Sequence, residues 1–152
     1  MGLDLRQGFD LSHDPVFGDF TSDVGFMKSI ELVLRLTLDG LLYGGLPCAS
    51  FGFLSSPTHE RSAMEPWGNL KFPFVCVGNV CATRFAVLVC LAVVRGCSWM
   101  LEQPGKTALL FLPPIKLLLQ PALRPRMVRW WMGMMGGWSL KPQLGLGNVS
   151  GT

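Results

Sequence analysis

The chain has 152 residues, of which 49% are hydrophobic and only 15% charged, with a formal net charge of +3. That length fits one domain, and the composition excludes a disordered chain, which needs few apolar residues and much charge. Five cysteines exclude a disulfide scaffold and, being odd in number, fit reduced thiols in an intracellular protein.

Gly2-Leu3-Asp4-Leu5 reads as a strand end running into an acidic turn, and residues 10–23 are polar and carry turn formers. Asp23 is placed to cap a helix beginning at Val24. Along it Phe26, Met27, Ile30, Val33, Leu34 and Leu38 recur at helical spacing, and Asp39-Gly40 stops it. Leu41 to Leu46 reads as a short buried strand ending at Pro47. The stretch from Cys48 to Phe74 is rich in Gly, Pro and Ser and lacks periodicity. It reads as a long loop, of which residues 52–74 follow a Pro-Cys motif; a loop of that length inside a compact domain is functional or mobile.

From Asn79 to Val94 the helical pattern returns, apolar all round and therefore expected to be buried, and Gly96 ends it. Ser98-Trp99-Met100-Leu101 suits a strand, with Glu102-Gln103-Pro104-Gly105 as a turn at its C-terminal end. Lys106 to Gln120 is helical in composition but interrupted by Pro113-Pro114. Met127 to Met132 predicts another strand, and after a Gly-rich turn Gln143 to Gly147 pairs back as a hairpin. Helix and strand alternate, which predicts an α/β sheet with flanking helices. In such sheets the chemistry sits at the C-terminal ends of the strands.

Charge is segregated along the chain. Residues 1–40 carry seven acids and three bases, whereas after Glu102 there are six bases and no acid. The basic half suits an anionic partner or a solvated face. A mean hydropathy of +0.38 raises membrane residence as a rival reading. The longest uncharged apolar run, Phe85 to Val94, falls short of the roughly 20 residues a span needs, and its extension to Leu101 places Arg95 inside. The first fourteen residues lack the basic and apolar pattern of a signal peptide, and Arg6 stands where a myristoylation signal needs Ser or Thr.

Cys48 follows a Gly-rich strand and a proline, where a thiol either faces a cleft or packs as an inert apolar group. Glu102 is the only acid after Glu65; at a strand end it is a cap, an ion-pair partner or, in a cleft, a proton donor. Cys76 and Cys81, with His13 and His59 elsewhere, have no zinc-ligand spacing, and no metal is expected. No Gly-x-Ser-x-Gly is present, and Gly145-Leu146-Gly147 is not followed by a phosphate-binding helix. Trp130 and Trp131 beside Arg124, Arg126 and Arg129 either stack on nucleic acid or pack within the hairpin.

Three of these stretches combine: Pro47-Cys48-Ala49-Ser50-Phe51, Glu102-Gln103-Pro104, and Lys141-Pro142-Gln143 with Asn148. Together they resemble DNA (cytosine-5) methyltransferases. The chain is also similar to a large group of predicted algal proteins in Arg61…Trp67-Gly68-Asn69, Gly78-Asn79…Arg84, Leu101-Glu102-Gln103-Pro104 and Lys141-Pro142. The methyltransferase resemblance implies a partial Rossmann-like sheet with flanking helices and a C-terminal β-hairpin, a single incomplete domain over residues 1–152. It implies that Cys48 attacks carbon 6 of a flipped cytosine while Glu102 donates a proton to ring nitrogen 3. It matches Asp4 to the acid at the ribose of S-adenosylmethionine and Asp19 to the motif beside its adenine. It makes nucleic acid the partner, with Arg124, Arg126, Arg129 and Lys141 as phosphate contacts.

The departures carry their own implications. The glycine-rich cofactor loop expected before Asp4 is not in this sequence, Gln103 stands for an Asn and Gln143 for a Thr. The expectation is therefore a degenerate domain that is not catalytic alone and does not bind S-adenosylmethionine. The family's first strand, central in its sheet, is missing too, so the strand ending at Pro47 would become an edge through which the chain self-associates.

Overall fold

The structure, a computed structural model, describes Asp14, residues 18–136 and residues 141–149. The first helix, α1 (Asp23–Leu34), is capped by Ser22, whose extended backbone lets its Oγ accept from the Gly25 N–H at 3.0 Å. The cap expected at Asp23 therefore falls one residue earlier. Asp23 lies inside the first turn, where its carboxylate meets Arg84 at 2.6 Å. The helix also ends early, at Leu34, and the left-handed Asp39 helps turn the chain into the sheet.

Four strands form one mixed sheet in the order β1-β2-β4-β3. Strand β1 (Leu41–Gly45) runs parallel to β2 (Ser98–Pro104), and β3 (Arg126–Trp131) forms an antiparallel hairpin with β4 (Pro142–Gly147). The hairpin joins the parallel pair through β4, which is antiparallel to β2. The fold is thus mixed α/β with a C-terminal hairpin. Among the described residues β1 is an edge strand. Glu102, expected in a turn, is a strand residue: Gly45 on one side and Gly145 on the other hold it in register. The strand runs on to Pro104, whose missing N–H is tolerated at a strand end.

Between the 48–74 stretch and β2 lies α3 (Pro73–Val94), the crossover that a parallel pair requires. It begins six residues before Asn79, because Pro73 occupies the first turn, where its absent N–H costs nothing. Twenty-two residues give about 33 Å, long and apolar enough to cross a membrane by length and composition. Half of the helix is nevertheless buried inside the fold, and Arg84 at its middle donates to the Phe20 and Ser22 carbonyls ahead of α1. Burial is not all round: Val77, Val80, Val87 and Val94 are exposed.

The core lies between α3 and one sheet face, with Phe85, Ala82 and Val89 against Trp99, Leu101 and Leu146. Gly44 lets this layer close, since a Cβ there would lie 2.3 Å from the Phe85 ring. Pro113-Pro114 do not interrupt a helix but begin one, α4 (Pro113–Leu118), which seals the core with Ile115 and Leu118. The opposite sheet face carries Leu41, Tyr43 and Val128, each about half exposed. The expected strand end at residues 2–5, with Asp4, lies outside the described residues.

Candidate functional site

Parallel strands present their C-terminal ends on the same side, and an antiparallel neighbour presents its N-terminal end there. The exit of β1, the end of β2 and the entry of β4 consequently meet at one sheet end. They border a cleft of about 190 Å³ lined by Leu46, Cys48, Glu102, Gln103, Lys141 and Gln143. The three motifs that stood out in the sequence, more than thirty residues apart from one another, face one cavity. A larger but shallower hollow of about 530 Å³ runs along α1 beside Val24 and Met27, and none of the motif residues lines it.

Cys48 opens a single 3-10 turn (Cys48–Ser50) directly after Pro47, and its side chain is exposed. The strand exit that positions it is pinned by Gln103, whose Nε2 donates to the Leu46 carbonyl at 2.9 Å. The other end of that buried amide accepts from the Thr107 hydroxyl at 3.3 Å. Glu102 alternates to the opposite face of β2 and accepts a hydrogen bond from the Tyr43 hydroxyl. Burial, then the hydrogen bond to Glu102, pushes the Tyr43 phenol up to about 12, so Tyr43 keeps its proton and donates it. Glu102 acts there as an acceptor.

A second constellation, centred on Arg61, holds the loop behind Cys48. Arg61 is buried, and Nε donates to the Ser50 carbonyl at 2.8 Å while Nη2 reaches the Ser50 hydroxyl at 2.9 Å and the Val75 carbonyl at 3.1 Å. Nη1 donates to Asn79 Oδ1 at 2.7 Å and to the carbonyls of Pro66 and Trp67. The guanidinium also lies 4.4 Å from the centre of the fully buried Phe51 ring. All six oxygens are neutral, and burial pushes Arg61 down to about 10. Gly78 belongs to the same knot, because a Cβ there would lie 2.0 Å from Ser50 Oγ. His59 is equally structural: Nδ1 accepts from the Arg61 N–H, which leaves Nε2 to donate to the Gly52 carbonyl. The stretch expected to be one long loop is therefore folded in part, with α2 (Ser56–His59) inside it.

The remaining sequence candidates lie elsewhere. The Asp19 carboxylate accepts from the Thr21 N–H at 2.8 Å and hydroxyl at 2.7 Å, bonds that hold it below the usual carboxylate range. It organises the entry to α1 and does not line the cleft. Asp4 lies outside the described residues. Arg124 sits in a left-handed turn before β3, and Arg126 and Arg129 alternate to opposite faces of that strand. Lys141 alone of the four bases borders the cleft. Among the described residues, no three His, Cys, Asp or Glu side chains gather as a metal site requires.

Sequence reasoning missed Tyr43 and the Arg61 knot. Arg61 had one signal, a lone base in a stretch of small residues, Pro and Trp. Tyr43 had none until the register placed it on the face of Glu102. Comparison with protein-family models, curated proteins and solved structures found no match to this chain.

Proposed function

We propose that this chain is a methyltransferase-like α/β module that keeps the base-binding side of a DNA (cytosine-5) methyltransferase site and does not transfer methyl groups by itself. The observation that carries the reading is the convergence of Cys48, Glu102 and Lys141 on one cleft at the C-terminal ends of two parallel strands. Among the described residues β1 is an edge strand, which supports it as well, because the family's first strand pairs on that side. At about 190 Å³ the cleft is smaller than the roughly 300–1,000 Å³ of drug-sized sites. That suits a single ring better than a whole nucleotide.

Two features favour binding over catalysis. One oxygen of Glu102 already accepts the hydrogen bond of the Tyr43 hydroxyl, so it is engaged within the fold. Asp19, matched by the resemblance to the adenine motif, turns one carboxylate oxygen to Thr21 and does not line the cleft. What remains is an acceptor carboxylate, an exposed thiol and a lysine around a ring-sized space.

Protection of the thiol tests this. Cytosine-bearing single-stranded DNA should slow alkylation of Cys48 while leaving exposed Cys90 unchanged, and Glu102→Gln should remove the protection. Equal labelling of Cys48 with and without DNA would overturn the reading.

A further inference from the structure

Among the described residues the sheet edge opposite β1 is β3, and this strand is exposed along nearly its whole length. Its register with β4 sets Met127, Arg129 and Trp131 on the face of Leu144 and Leu146, and Arg126, Val128 and Trp130 on the other. Trp130 lies down, its ring packed over Gly145. The others stand out: Val128 and Trp131 are half exposed or more, and Met134, in the 3-10 turn that follows, is 77% exposed. Arg126 and Arg129 are exposed among them, and no acid of the described residues pairs with either. No acid follows Glu102 in the sequence. The β3 edge therefore carries unneutralised positive charge interleaved with apolar side chains on both of its faces.

Arginines alone would serve to keep an edge strand from pairing with other chains. An exposed Trp, Val and Met serve no such purpose, and contiguous apolar groups rimmed by charge mark a surface that meets a partner. Charge complementarity makes that partner anionic. Nucleic acid fits it poorly, because a strand bound along one face would miss either Arg126 or Arg129, and Met127, Val128 and Met134 give bases no aromatic plane to stack on. The headgroup layer of an anionic bilayer instead surrounds an edge that enters it. Phosphates then lie beside both faces, Trp131 takes the headgroup depth that Trp favours, and the Val and Met side chains reach the acyl boundary. Because this layer is wet, the unpaired backbone of an edge strand keeps its hydration there, as it would not in the hydrocarbon core.

We propose that the β3 edge docks on anionic lipid surfaces, with Val128, Trp131 and Met134 entering the headgroup layer and Arg126 and Arg129 binding lipid phosphates on either side. This surface is separate from the cleft, and the proposal stands whether or not the cleft holds a base.

Flotation of the whole chain with vesicles tests it. Vesicles with about one-third phosphatidylserine in phosphatidylcholine should bind at least about tenfold better than phosphatidylcholine alone. Arg126→Gln and Arg129→Gln should each weaken binding about fivefold. Val128→Ser combined with Trp131→Ser leaves every charge in place and should weaken it at least about tenfold. Val87→Asn, on the exposed side of α3, should change nothing. All these positions are exposed, and an unchanged urea midpoint shows that each variant folds. The proposal is overturned if the parent binds single-stranded DNA but not the anionic vesicles, or if the Val128 and Trp131 variant floats as well as the parent. It is equally overturned if Val87→Asn abolishes flotation while the β3 variants keep it, since the membrane contact would then belong to α3.

Discussion

Removing the Arg61 side chain should cost this fold a large part of its stability. Six oxygens surround the guanidinium, four of them carbonyls of Ser50, Pro66, Trp67 and Val75 and two of them the side chains of Ser50 and Asn79. Each buried acceptor left unpaired costs roughly 1–3 kcal/mol. Water entering the vacated space re-pairs some of them, and loss of an unneutralised buried charge offsets part of the rest. For Arg61→Met, which keeps the aliphatic bulk, the expected net loss is about 3–5 kcal/mol, similar to breaking a buried ion pair. Against a total of roughly 5–15 kcal/mol, that is the difference between a folded and a marginal domain. Arg61→Lys should lose less, about 2–3 kcal/mol, since an ammonium has three donors for six acceptors.

Urea unfolding followed by tryptophan fluorescence reads the loss directly. With a slope of about 2 kcal/mol per molar, the midpoint of Arg61→Met should fall by roughly 1.5–2.5 M. The knot joins the Cys48 turn to α3, so the same variant should label faster at buried Cys81, which α3 carries, well below the midpoint. A midpoint within about 0.3 M of the parent would refute the argument, because it would mean that the six oxygens are satisfied as well without the guanidinium.

Three further outcomes are expected. Tyr43 is the only tyrosine, so tyrosinate absorbance reports it alone; it should titrate near 12 and fall only in part in Glu102→Gln, because burial, the larger cause, remains. The raised value means that the folded state favours the protonated phenol, so this contribution to stability is complete below pH 10 and is lost as pH rises through about 12. The purified chain should self-associate through the β1 edge, and Leu41→Lys should reduce this in sedimentation analysis; a monodisperse parent would refute it. Leu42 is the wrong residue for that test, because it packs against the core. Calorimetry should show no saturable binding of S-adenosylmethionine below millimolar concentration, and saturable heat would overturn that expectation.

The parts of the fold legible in the sequence were those punctuated by Gly and Pro. Strand β1 stands between Asp39-Gly40 and Pro47, and the hairpin shows through the alternation of Leu144 and Leu146 with glycines. The boundaries that misled were those where the same residues mean two things. Pro104-Gly105 reads as a turn, yet Pro104 closes a seven-residue strand. Pro113-Pro114 reads as a break, yet prolines are also good first-turn residues. The start of α3 has no polar cap to announce it, since Phe72 occupies that position. Within the site, Cys48 and Glu102 were visible as residues, but their environment was not. Tyr43 and Glu102 are 59 positions apart, and Arg61 gathers acceptors from Ser50, from Pro66 and Trp67, and from Val75 and Asn79 of α3.

The geometry of the cleft depends on the direction of β4 more than on any one motif. Only because β4 is antiparallel to β2 does its first half, with Lys141 just before it, arrive where β1 and β2 end. That insertion needs the glycines: a Cβ at Gly147 would lie 2.3 Å from the Trp99 carbonyl oxygen, and one at Gly145 would lie 2.8 Å from the Trp130 ring. The same alternation that sends Leu144 and Leu146 into the core sends Gly145 and Gln143 to the face of Glu102. Moving β4 by one residue would exchange the two sets, putting Gln143 into the core and a leucine beside Glu102. The pairing that buries the hydrophobic set is thus also the one that places Gln143 on the sheet face of Glu102, so stability and cleft lining are fixed by a single register.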